Sequence, residues 1–176
     1  MKIISSFLIF IILFFFFTGK IFSAEKKEQD VGTGGRDDLS YLNAKNSNFK
    51  KGKDALAQAN KLLKKKKLKK SDKRLNDAIQ YFVLANKEFP NNAKILDYLG
   101  AVYYKAGDLI MSEIYYQEGL TIDPKNNSIN QGLGELYFKT NRIDLAKEKL
   151  NILSSCNCKE YFNLRNIIKN NNITLN

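Results

Sequence analysis

Cys156 and Cys158, in the stretch SSCNCKEY, are the two cysteines of this 176-residue sequence, and one residue separates them. Residues so close can bring their Cα atoms within the roughly 4.4–6.8 Å that a bridge spans, so a local disulfide is the first expectation. It would close almost no loop and add little through chain entropy, though it would stiffen its turn. Thiol exchange is the second reading, because a strained bridge is more easily reduced. Free or intermolecular thiols are a third. A soft-metal site would need further ligands, and no His or nearby Met supplies them. A chain without His also lacks the common triads, proton shuttles and imidazole ligands. No catalytic residue, cofactor, metal or small-molecule substrate is expected.

The second concentration of chemistry is NKLLKKKKLKK, from Asn60 to Lys70, where Lys61, Lys64, Lys65, Lys66, Lys67, Lys69 and Lys70 form a basic patch. Between Lys50 and Arg74, twelve basic residues stand against Asp54 and Asp72, which is +10 of the formal net charge of +11. A nucleic-acid surface would spread charge along a face and interleave aromatics that stack on bases, so nucleic acid is not an expected partner. Anionic lipid head groups, at about 1 kcal/mol per basic residue near such a surface, are a better fit. An acidic protein is comparable. The bland reading is a solvated helix: twenty asparagines accompany the lysines, as in an A/T-rich genome where both accumulate without selection for binding.

The elements that carry these residues follow from pattern. Lys2, an apolar run from Phe7 to Phe17 and the small residues Ser23 and Ala24 read as a signal peptide over 1–24, or as an uncleaved N-terminal anchor. Residues 25–48 are polar and Gly/Asp/Asn/Ser-rich, as expected of a flexible linker. Its GTGG has neither a strand before it nor a helix after it and is not read as a phosphate loop.

Beyond residue 48 the chain matches itself at a shift of 34. Leu99, Gly100 and Tyr103 align with Leu133, Gly134 and Tyr137; Ala78 with Ser112 and Ala146; Phe82 with Tyr116 and Leu150; Pro90 with Pro124. Gly107-Asp108 is a stop-and-start signal, with glycine left-handed after one helix and aspartate capping the next; Asn141 occupies the equivalent slot. In DLIMSEIYYQEGLTI, Ile110, Ile114 and Leu120 with Tyr115 and Tyr116 recur at helical spacing.

These residues resemble the tetratricopeptide repeat (TPR), an antiparallel helix pair of about 34 residues. The resemblance implies an all-α helical-repeat solenoid over 49–172. Three helix pairs, at about 50–90, 92–125 and 126–157, would be sealed by a cap helix at 159–170, whose apolar stripe is Tyr161, Phe162, Leu164, Ile167 and Ile168. The first repeat departs from the pattern. Its first helix, with an apolar stripe of Ala55, Leu56, Ala59, Leu62 and Leu63, is expected to end near Leu68, placing Lys64 to Lys70 on its last turns and in an enlarged loop before Asp72.

Members of this superfamily hold an extended peptide or a helix on the concave face lined by the first helix of each pair. Carried over by register, that face comprises Asp97, Tyr98, Ala101, Tyr104 and Lys105, then Gln131, Gly132, Glu135, Phe138 and Lys139. The Lys/Asn/Arg set that clamps a C-terminal carboxylate in chaperone-docking members is absent. The end of the chain also resembles a group of exported bacterial repeat proteins in which two close cysteines precede a Glu-Tyr pair, here Glu160-Tyr161, although in that group the cysteines lie farther apart. The implied function is a non-catalytic adaptor or scaffold of a bacterial periplasm that binds a protein partner. The alternatives are a membrane-surface protein using the lysine patch and a thiol redox factor using Cys156 and Cys158.

Overall fold

The computed structural model describes residues 47–172, and these form seven helices. The expected signal peptide, and the expected linker up to residue 46, lie outside the described residues. The helices are α1 (Ser47–Lys64), α2 (Leu68–Glu88), α3 (Ala93–Ala106), α4 (Leu109–Ile122), α5 (Asn127–Lys139), α6 (Ile143–Leu153) and α7 (Lys159–Asn172). Each packs on its successor, α7 also seals α5, and α3 touches α5. This is an all-α solenoid of three helix pairs with a cap helix. None of the described helices is long and apolar enough to cross a membrane.

Local chemistry explains where the helices start. Asn92 accepts hydrogen bonds from the backbone of Lys94 and Ile95, Asp108 from Met111 and Asn126 from Ile129, so α3, α4 and α5 each begin on a side-chain cap. The turns inside the pairs share one construction. Lys66, Gly107 and Asn141 have φ of 55°, 88° and 59°. Around each, the same two backbone bonds close the preceding helix: Lys67 N–H to Leu62 O and Lys66 N–H to Leu63 O; Asp108 to Tyr103 and Gly107 to Tyr104; Arg142 to Tyr137 and Asn141 to Phe138. This is the left-handed helix stop that glycine and asparagine favour.

The first of these turns corrects the expected end of α1. The helix stops at Lys64, the connection is only Lys65–Lys67, and Leu68, Lys69 and Lys70 already belong to α2. A tight left-handed stop does not require glycine, and a lysine there hid the boundary.

Crossing distance selects the residues inside each pair. Ser112 Oγ donates to Gly100 O at 2.9 Å, and Ser71 Oγ donates to Ala59 O at 3.2 Å, twelve residues apart in both cases. A Cβ on Gly100 would run into the Tyr116 ring, and one on Gly52 would lie 2.7 Å from Phe82. The apolar expectation for α4 is therefore corrected in part. Its buried residues are Ser112, Tyr116 and Gly119, while Ile110 is 76% exposed and Ile114 is exposed too. Small residues face the close partner helix, and the isoleucines face outward. In α1 the core residues are Phe49, Ala55, Leu56 and Ala59; Leu62 and Leu63 are only half-buried. In α7, Leu164 and Ile168 are buried against the last pair, but Phe162 is exposed.

A side chain held left-handed costs about 1–2 kcal/mol, partly offset by glycine's larger unfolded-state entropy. Lys66→Gly is therefore expected to stabilise the fold by about 0.5–1 kcal/mol in urea unfolding. A destabilised variant would mean that the Lys66 side chain makes a compensating contact.

Candidate functional site

The residues expected on the concave face lie on α3 and α5, and the structure brings most of them together. Asp97, at 7% exposure, accepts a hydrogen bond from Ser128 Oγ of α5 at 3.1 Å and has Lys94 Nζ at 3.9 Å. Burial pushes its carboxyl above the ordinary range; the Ser128 bond and Lys94 oppose this, and the charge of Glu160 on α7 adds to it. Lys139 Nζ stands 4.7 Å from the centre of the half-buried Tyr104 ring, a cation–π contact between α5 and α3. The Tyr104 hydroxyl is pushed up by burial and then by the charge of Glu135. Gln131 Nε2 donates to Glu135 Oε1 at 2.6 Å. Ala101 and Phe138 are half-buried against the second core, and Lys105 is exposed.

Tyr98 is placed differently. Its half-buried ring packs at 5.2 Å from both Phe49 and Phe82, tying the second pair to the first. Gly132 receives the hydroxyl end of Tyr116, and any side chain there would clash with it. Burial raises the Tyr116 phenol strongly, with Asp97 and Glu135 adding to the effect.

Sequence reasoning missed the parts of Lys94, Ser128 and Glu160, whose charges and bonds modify what burial does to the Asp97 carboxyl. The signal for Ser128 was its place on the first turn of the next inner helix. Glu160 belongs to the cap, which the repeat register does not reach.

The seven lysines of the patch are all exposed and divide between the end of α1, the turn and the first turn of α2. Cys156 and Cys158 are joined by a disulfide with Cα atoms 5.1 Å apart in the α6–α7 turn, where both are half-buried against the second core. Among the described residues, no three His, Cys, Asp or Glu side chains are grouped to hold a metal.

No family model matches the chain. Over 79 residues it is 33% identical to the anaphase-promoting complex subunit CDC16 of Saccharomyces cerevisiae, a match covering 41% of this chain and 9% of that protein. The chain thus spans under a tenth of that relative's length. The first TPR domain of Spaghetti (RPAP3), solved bound to the HSP90 peptide SRMEEVD, superposes with a TM-score of 0.51 at 18% identity, covering 69% of this chain and 93% of that one. The fold is like that of this tetratricopeptide-repeat domain. The TPR domain of Arabidopsis OM64 superposes equally, at 0.51 and 17% identity, over 70% of this chain and 98% of that one. Asp97 and Tyr104 lie on the first helix of the second pair, and Glu135 and Lys139 on the first helix of the third.

Asp97 supplies a pH test. Its carboxyl holds a proton more tightly in the folded chain than in the unfolded one. The stability tied to that proton is full below the unfolded pKa and is lost as pH rises through the folded one. Asp97→Asn can keep the Ser128 bond without the buried charge. It is expected to be more stable than wild type at pH 7, with the difference shrinking as pH falls into the ordinary carboxylate range. A variant less stable at pH 7 would show that the Lys94 pair outweighs the desolvation.

Proposed function

We propose that this TPR solenoid is a non-catalytic adaptor that holds a peptide or helix of a protein partner against α3 and α5. The observation that carries this reading is the half-buried Tyr104 capped by Lys139 beside Glu135, an apolar platform flanked by both signs of charge. Such a platform can bury an apolar anchor of a partner while its rim bonds to the partner's backbone. The buried Asp97 charge agrees, because a costly carboxylate on a binding face is readily explained as a hook for a donor. The peptide-bound TPR structure of similar fold lends support by analogy alone. Since the carboxylate-clamp set is missing, the partner differs from an acidic C-terminal tail. The adaptor is exported and works in a bacterial cell envelope; the apolar segment near the N-terminus and the cysteine pair motivate that placement.

The test is a photo-cross-linker at position 105 in living cells. Wild type is expected to yield one discrete adduct. Tyr104→Ala with Lys139→Glu should reduce it at least about tenfold, as expected for loss of an anchor worth more than 1 kcal/mol. An adduct of undiminished yield in that double variant, confirmed folded by circular dichroism, would place recognition elsewhere.

A further inference from the structure

The first helix pair is longer than the others at its turn end. Lys66 and Gly107 are 41 residues apart, whereas Gly107 and Asn141 are 34 apart. The glycine–aromatic crossing recurs as Gly52 with Phe82, 30 residues apart, against Gly100 with Tyr116, 16 apart. Each helix of the first pair thus carries two additional turns beyond that crossing, about 10 Å of overhang. The overhang is where the lysines sit. Between its two helices runs a groove of about 490 Å³, with Leu62 in its lining and Lys61, Lys65, Lys67, Lys70, Lys73 and Arg74 around it. At the extremity Leu68 is 62% exposed, with Lys66 and Lys67 before it and Lys69 and Lys70 after it.

We infer that this tip docks on an anionic lipid bilayer, separately from the concave face. The only guanidinium in the overhang, Arg74, has its Nη1 on Asp77 Oδ2 at 3.0 Å, so the one group able to grip a carboxylate in bidentate fashion already shares its charge with a carboxylate of its own helix. None of the patch lysines has an ion-pair partner among the described residues. They act as point charges on long stems around a protruding leucine. A bilayer matches both parts. Its head groups neutralise the ammonium groups, the apolar boundary receives Leu68, and the lysine stems lie along that boundary with their charges in the head-group layer. A soluble acidic segment would neutralise the lysines but leave Leu68 exposed at the tip.

Flotation of the full chain with phosphatidylcholine vesicles, with and without about 30% phosphatidylglycerol, reads this directly. The apolar residues 7–17 would carry the chain to both vesicle types, so the difference between the two isolates the charge-dependent part. At about 0.1 M salt the wild type is expected to partition at least about tenfold more strongly onto the anionic vesicles, and at about 0.5 M salt this preference collapses. K64Q/K65Q/K66Q/K67Q should abolish most of the preference, and Leu68→Asn should weaken partitioning severalfold while leaving the salt dependence. Equal partitioning onto both vesicle types, or an unchanged preference in the quadruple variant, overturns the proposal. So does tight binding of a glutamate peptide by a chain that shows no preference for the anionic vesicles, which would make an acidic protein segment the occupant.

Discussion

Each of the first two helix pairs closes where one helix presents no side chain, and an aromatic ring of the other fills the space. In the second pair the Tyr116 ring lies over Gly100 and continues to Gly132 of the next inner helix. One residue thereby pins α4 to α3 and to α5. In the first pair Phe82 lies over Gly52, and at the position matching Gly132 it meets the Tyr98 ring at 5.2 Å. The two junctions use a larger ring over a bare backbone and a smaller ring against a second aromatic. Close packing permits such an exchange only if the volumes compensate. The solenoid, and with it the spacing between α3 and α5, follows from these two pins.

The length of the first pair is a second consequence. A pair can be extended at its turn end without disturbing the crossing or the connection at its far end. Ala59 and Ser71 repeat at 3.2 Å the backbone approach of Gly100 and Ser112, so the extension reuses the same small-residue packing. What it lacks is a neighbour: α3 is too short to cover it, which leaves Leu62 and Leu63 half-buried and the lysines in water. Charge that would repel itself within a packed repeat is tolerated on a projecting end. Lys61–Arg74 carries +8 of the formal net charge of +11 and all other residues sum to +3, so body and tip are electrostatically distinct.

From Ala78 onward the architecture was legible, because a 34-residue shift superposes positions with the same packing duty. It failed in the first inner helix because the two turns added to each helix of the first pair move the turn by 7 and the crossing glycine by 14. Periodicity in α4 misled for another reason. A helix packed at close range buries Ser112 and Gly119, so hydrophobicity no longer marks the inner face. Of the concave cluster, the residue types were legible by register, but the state of Asp97 was not. It depends first on burial between α3 and its neighbours, then on Ser128, 31 residues on, with smaller contributions from Lys94 and from Glu160 in a cap outside the repeat.

The three left-handed turns show what the lysine run sets aside. Gly107 takes its position without steric cost and Asn141 nearly so, whereas the first pair places Lys66 there, within four consecutive lysines. Asparagine is abundant in this chain and fits such a turn better. Lysine at that position is thus not what conformational preference alone would select. Helix C-terminal stabilisation explains Lys61 and Lys64 on the last turn of α1, but it falls off within that turn and does not extend to Lys69 and Lys70 on α2. At the first turn of α2 the helix dipole disfavours cations. The run continues through a turn that prefers another residue and onto a helix end that prefers the opposite charge. That placement is hard to assign to local structure, and it is what a surface contact at the tip would require.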